Sequence, residues 1–198
     1  MAAASAAPAA TVEALLAAFP GGATHKDAKG LTPLHCAALN GCAPDTVALL
    51  LAAHPGAAAE ADGSGSLPLY WASLNGASPE VVRALLAANA GAAGQKDDRG
   101  RTPLHCAAAA VAADEVVALL LAANRGAAAC KDADGCTPLH WAANKGASME
   151  AVQLIMEANP AAVEDADLDG MLPLCAPSRP VTPARLRLAA APPCTIRG

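Results

Sequence analysis

Leu31-Thr32-Pro33-Leu34-His35-Cys36-Ala37-Ala38 decides the fold, because its skeleton returns along the chain at one fixed spacing. Arg101-Thr102-Pro103-Leu104-His105-Cys106-Ala107-Ala108 and Cys136-Thr137-Pro138-Leu139-His140-Trp141-Ala142-Ala143 repeat it closely. Ser66-Leu67-Pro68-Leu69-Tyr70-Trp71-Ala72-Ser73 is a looser copy. Proline falls at 33, 68, 103, 138 and 173, each 35 residues after the last, and leucine follows it every time. Glycine stands three residues before each proline and aspartate six before, from Asp27 and Gly30 to Asp167 and Gly170. The same step carries Val12, Val47, Val82, Val117 and Val152, then Leu15, Leu50, Leu85, Leu120 and Ile155. A fixed period in this range marks a stacked repeat architecture.

Each recurring position has a physical reading. Aspartate bonds the backbone two residues on and glycine takes a positive φ, so Asp-x-x-Gly reads as a turn. Proline then suits the first position of a helix, where its missing N–H costs nothing. Thr32, Thr102 and Thr137 stand just before it as N-caps. The first helix should run about eight residues and stop at Gly41, Gly76 or Gly146, which suit the left-handed position after a helix. A second helix should start beside Pro44, Ser78-Pro79 or Ser148, with apolar residues at i, i+3 and i+4. One such unit cannot bury its apolar stripe alone, whereas stacked copies can.

The quoted octapeptides resemble the Thr-Pro-Leu-His-x-Ala-Ala signature of ankyrin repeats. The resemblance implies an all-α ankyrin-repeat solenoid over residues 11–176. Its parts are an N-terminal half repeat at 11–26, full repeats at 27–61, 62–96, 97–131 and 132–166, and a truncated fifth repeat at 167–176. The half repeat reads as one capping helix with Phe19 on its stripe. Residues 1–10 are Ala/Pro-rich and expected to be disordered. Residues 177–198 read as a basic, Pro-rich tail that is either disordered or carries a short capping helix at 183–191. The family's usual repeat is about 33 residues long. The two extra ones fall after the Leu-Leu pair, as in 52–62, and should lengthen the second helix or the loop after it. Repeat three has Ala110-Val111 where its neighbours have a residue followed by glycine, so its reverse turn is expected to be strained or looser. Trp and Cys alternate after the His position (Cys36, Trp71, Cys106, Trp141), which suggests a 70-residue double unit.

The resemblance also implies function: a non-catalytic module, an adaptor or targeting scaffold, that docks a protein in its groove. Contacts of such arrays fall on the hairpin tips and the first-helix face. Here those are Lys29, Leu31, Ser64, Ser66, Arg99, Arg101 and Asp134 at the tips, and Leu39, Asn40, Leu74, Asn75, Asn144 and Lys145 on the helices. Trp71 and Trp141 are contact candidates whose alternative role is packing. These positions vary from repeat to repeat while the framework does not.

Composition agrees. Hydrophobic residues make up 54 % of the chain but aromatics only 2 %. A core must therefore come from small side chains and close helix approach. The net charge of −5 lacks the clustered Lys and Arg that nucleic acid requires. No apolar stretch reaches the ~20 residues of a membrane span. Seven cysteines in a spacing that suits no disulfide framework suggest a reducing, cytoplasmic setting. The His35-Cys36 and His105-Cys106 pairs invite a metal-dependent or redox enzyme, but zinc-ligand spacing is missing. The resemblance implies instead that these histidines are structural, bonding backbone and the nearby threonine. The expectation is therefore no catalytic residue, no metal, no cofactor and a monomer with an unidentified protein partner. A fragment or regulatory domain of a larger protein is the alternative.

Overall fold

The computed structural model describes residues 9–175, and among them every regular element is helical. Helix α1 (Ala9–Ala18) opens the chain. Four helix pairs follow: α2 (Pro33–Leu39) with α3 (Pro44–Ala53), α4 (Pro68–Leu74) with α5 (Pro79–Ala88), α6 (Pro103–Ala110) with α7 (Asp114–Ala123), and α8 (Pro138–Lys145) with α9 (Met149–Ala158). The first helices α2, α4, α6 and α8 stack in one row, and α1, α3, α5, α7 and α9 in a second. A fifth unit begins at Asp167 and reaches a 3-10 turn at Pro173–Cys175. The expected tail and its capping helix at 183–191 lie outside the described residues, as does most of the 1–10 segment; α1 begins at Ala9.

The period becomes a core. Leu34, Leu69, Leu104 and Leu139 are all buried, and so are Val47, Val82, Val117 and Leu50, Leu85, Leu120, Ile155. Burying each such side chain stabilises the fold by about 1.5–3 kcal/mol before conformational entropy is charged. Alanines fill the seams between rows, with Ala38, Ala72, Ala107 and Ala142 at 1 % exposure or less, so backbones approach closely.

The two extra residues per repeat are absorbed in a 3-10 turn after each second helix: Pro55–Ala59, Ala90–Gly94, Arg125–Ala129 and Pro160–Val163. Each turn buries alanines, such as Ala57 and Ala58 or Ala127 and Ala128. The residue before the turn ties two of them to the previous one. Asn89 Nδ2 donates to the Ala58 carbonyl at 3.1 Å, and Asn159 Nδ2 to that of Ala128 at 3.5 Å.

One expectation at the N-terminus needs correction. Phe19 is not on the α1 stripe: it lies past the helix end, 66 % exposed, with its ring against Gly22. Leu15, in the register of Leu50, Leu85, Leu120 and Ile155, is 63 % exposed where those four are buried.

Candidate functional site

The hairpin tips are built from one carboxylate used five times. Asp27 Oδ1 accepts the amides of Lys29 and Leu31 at 2.8 and 2.9 Å. Asp62, Asp97, Asp132 and Asp167 do the same for the residues two and four further on. Between those two amides sits a glycine at φ from 74° to 77°. That region is closed to most side chains. Successive tips are then stitched by backbone. The amides of Gly63, Asp98, Ala133 and Leu168 donate to the carbonyls of Lys29, Ser64, Arg99 and Asp134 at 2.7–3.1 Å.

The second oxygen of the carboxylate explains the 70-residue alternation. In repeats two and four the indole donates to it: Trp71 Nε1 to Asp62 Oδ2 at 2.8 Å, and Trp141 Nε1 to Asp132 Oδ2 at 2.9 Å. In repeat three Arg101 takes that place, with Nε 2.9 Å and Nη2 2.5 Å from Asp97 Oδ2. Both tryptophans are half-buried and pack against the core, so each is anchored at its indole edge and only partly exposed.

The histidines serve the framework. His35, His105 and His140 each take the amide of the N-cap threonine on Nδ1 at 3.1 Å. That leaves the proton on Nε2, which donates to the carbonyl of Ser66, Cys136 and Met171 in the following repeat at 3.1–3.2 Å. With both ring nitrogens engaged, none of the three offers a lone pair to a metal or a nucleophile. Burial holds His35 below its usual pKa and takes His105 down to about 4, which keeps those two rings neutral. Burial also pushes the Cys106 thiol up to about 12, the opposite of an activated cysteine. Among the described residues no cluster of His, Cys, Asp and Glu could hold a metal ion, and no helix is long and apolar enough to cross a membrane.

Against this geometry the expected contact residues divide. Lys29, Ser64, Arg99 and Asp134 are exposed at the tips, and Asn40, Asn75 and Lys145 are exposed at the ends of the first helices. Leu39, Leu74 and Asn144 join Trp71 and Trp141 as half-buried residues of the same helix row. These run along one face of the array. Leu31, Ser66 and Arg101 do not belong to that face: they are buried. The left-handed glycine before each of them reverses the chain, so the side chain after it turns inward.

Arg101 is the clearest case, at 8 % exposure. Its guanidinium pairs with Asp97 and lies 5.5 Å from the Tyr70 ring centroid, while its Nη1 is buried without a partner. Tyr70 fills the position that histidine takes in the other repeats and packs edge-to-face on Trp71 at 5.7 Å. This Tyr70–Arg101–Asp97 cluster replaces the histidine bridge between repeats two and three. One sequence signal could have found it: an arginine four residues after the turn aspartate, across a tight turn.

The family model for ankyrin repeats (3 copies) matches residues 1–93, 44–127 and 78–167. No curated protein matches the chain.

Proposed function

From the fact that this chain belongs to the ankyrin-repeat family, whose members are generally protein–protein interaction modules and typically non-catalytic, we propose that it is an adaptor or targeting scaffold. Its partner protein lies along the face of hairpin tips and first helices. One observation carries the reading: Trp71 and Trp141 stand on that face in alternate repeats, each pinned by its indole N–H to a turn aspartate. Aromatic surface held rigid before binding loses little entropy when a partner covers it. Lys29, Arg99 and Lys145 outnumber Asp134 among its expected contact residues on a chain of net charge −5, a contrast that would orient an acidic partner. The cysteine usage supports a cytoplasmic setting.

The test is capture of partners by the wild-type chain and two variants whose helical content is checked by circular dichroism. Arg99→Glu/Lys145→Glu alters the proposed face. Ala122→Lys alters an exposed position on α7, in the other helix row. Loss of capture by the first variant alone supports the reading. Equal capture by both sinks it.

A further inference from the structure

The last described repeat ends in a core that has lost its cover. Leu174 holds the register of Leu34, Leu69, Leu104 and Leu139, which are exposed by 3 % or less, yet Leu174 is 88 % exposed. Leu172 stands where Thr32, Thr102 and Thr137 are wholly buried, and it is 36 % exposed. Leu168 is 78 % exposed too, but in a tip register that is exposed in every repeat. The backbone here is nonetheless held in the framework geometry. Asp167 Oδ1 accepts the Asp169 and Met171 amides at 2.9 Å, and Gly170 sits at φ 76°. A well-formed repeat start therefore presents leucines to an occupant that is not among the described residues.

The charge of this end says what the occupant should carry. Residues 149–175 contain Glu150, Glu157, Glu164, Asp165, Asp167 and Asp169 and no lysine or arginine. Residues 176–198 contain Arg179, Arg185, Arg187 and Arg197 and no acid. The tail also repeats the start signal of the array. Thr182-Pro183 matches Thr32-Pro33, Thr102-Pro103 and Thr137-Pro138, each of which begins a helix, and Leu186, Ala189 and Ala190 follow at helical spacing. The stretch 176–181 between them includes Pro177 and Pro180, which suits a non-helical connection of the length that joins packed helices.

We propose that residues 182–191 of the same chain dock as a helix on the Leu172–Leu174 face, with Arg185 and Arg187 against the acidic end of the array. Tethering by a short link gives the segment an effective concentration that no free partner matches. The docked helix supplies the apolar cover that the second helix of a complete repeat would give.

Amide exchange in the full chain tests it. The Gly170 and Met171 amides are followed in wild type, Leu186→Asp, Leu174→Asp and the double variant, with oligomeric mass measured alongside. Leu186 belongs to the proposed occupant, and circular dichroism checks that its substitution leaves the array folded. Exchange should quicken by about tenfold in either single variant, within the range of coupled contacts, and no further in the double variant. Equal exchange in wild type and Leu186→Asp overturns the proposal. So does protection that rises with protein concentration alongside a dimer, since a second copy would then be the occupant.

Discussion

The buried histidines put a pH dependence into the framework. Nδ1 of His35 and His105 accepts a threonine amide and Nε2 donates to the next repeat, so a second proton would break the bond at Nδ1. Burial lowers both pKa values, His105 to about 4. The unfolded chain titrates near about 6.5. Between those values the unfolded chain binds protons that the native state refuses, so stability rises with pH. The contribution is complete above about pH 6.5 and drains away as the pH falls towards 4. The urea midpoint should therefore fall steadily from pH 7 to about 4.5, and His105→Asn should flatten part of that slope while lowering stability throughout. A wild-type midpoint constant over this range would mean that the rings are not held neutral. This role was implied by the resemblance to the ankyrin signature, whose histidine follows the cap threonine by three residues in three of these repeats. The inward turn of Leu31, Ser66 and Arg101 was not. Sequence spacing says that 29 and 31 belong to one tip; only the positive φ of Gly30 says that they face opposite ways.

At the scale of elements, the joint between α6 and α7 is where a local rule is broken. Val111 sits at φ 53°, ψ 47°, the one non-glycine residue with positive φ among the described residues. Its counterparts Gly41, Gly76 and Gly146 take φ of 62°, 63° and 70°. A Cβ at any of those three would meet nothing within 4 Å. Space is therefore not the problem at this turn, and backbone conformation is. The left-handed region costs an L-residue roughly 1–2 kcal/mol, and a β-branched one is an outlier there. Glycine loses about 0.5–1 kcal/mol of that gain through its freer unfolded chain. Val111 is 48 % exposed, so removing it forfeits little burial. Val111→Gly should raise stability by about 0.5–1 kcal/mol, read as a higher urea midpoint with an unchanged slope. A lower midpoint would show that the valine's contacts outweigh its strain. The missing glycine was visible in the 35-residue alignment, and so was the strain it implies. The fate of Phe19 was not, since its place past the end of α1 depends on where the helix stops. Nor did the spacing show that the extra residues close into 3-10 turns whose alanines are buried.

Across the whole molecule, each unit touches only its neighbours, so stability is a sum of unit and interface contributions and need not be uniform along the array. The α6 helix buries six residues in a row, Pro103 to Ala108, with repeats stacked on both sides. The α1 helix buries none: Leu15 within it and Phe19 just past its end both lie open. Ion pairs do not even out this difference. Lys26–Glu60, Arg83–Glu115 and Lys131–Asp165 link successive repeats but are largely exposed, and such pairs contribute little. Burial therefore sets the order of opening, and the strained Val111 can persist because the repeats on either side over-determine its backbone. Native-state amide exchange in rising urea should show α1 opening first, well below the global midpoint, with α4 and α6 protected until the last. The Val111→Gly gain should then appear in the exchange of α6 and α7 and leave α1 unchanged, because a central joint does not alter the energy of fraying an end. Simultaneous loss of protection in α1 and α6 would mean that the array unfolds as one cooperative unit, and that its exposed first helix is held by more than the burial of its own side chains.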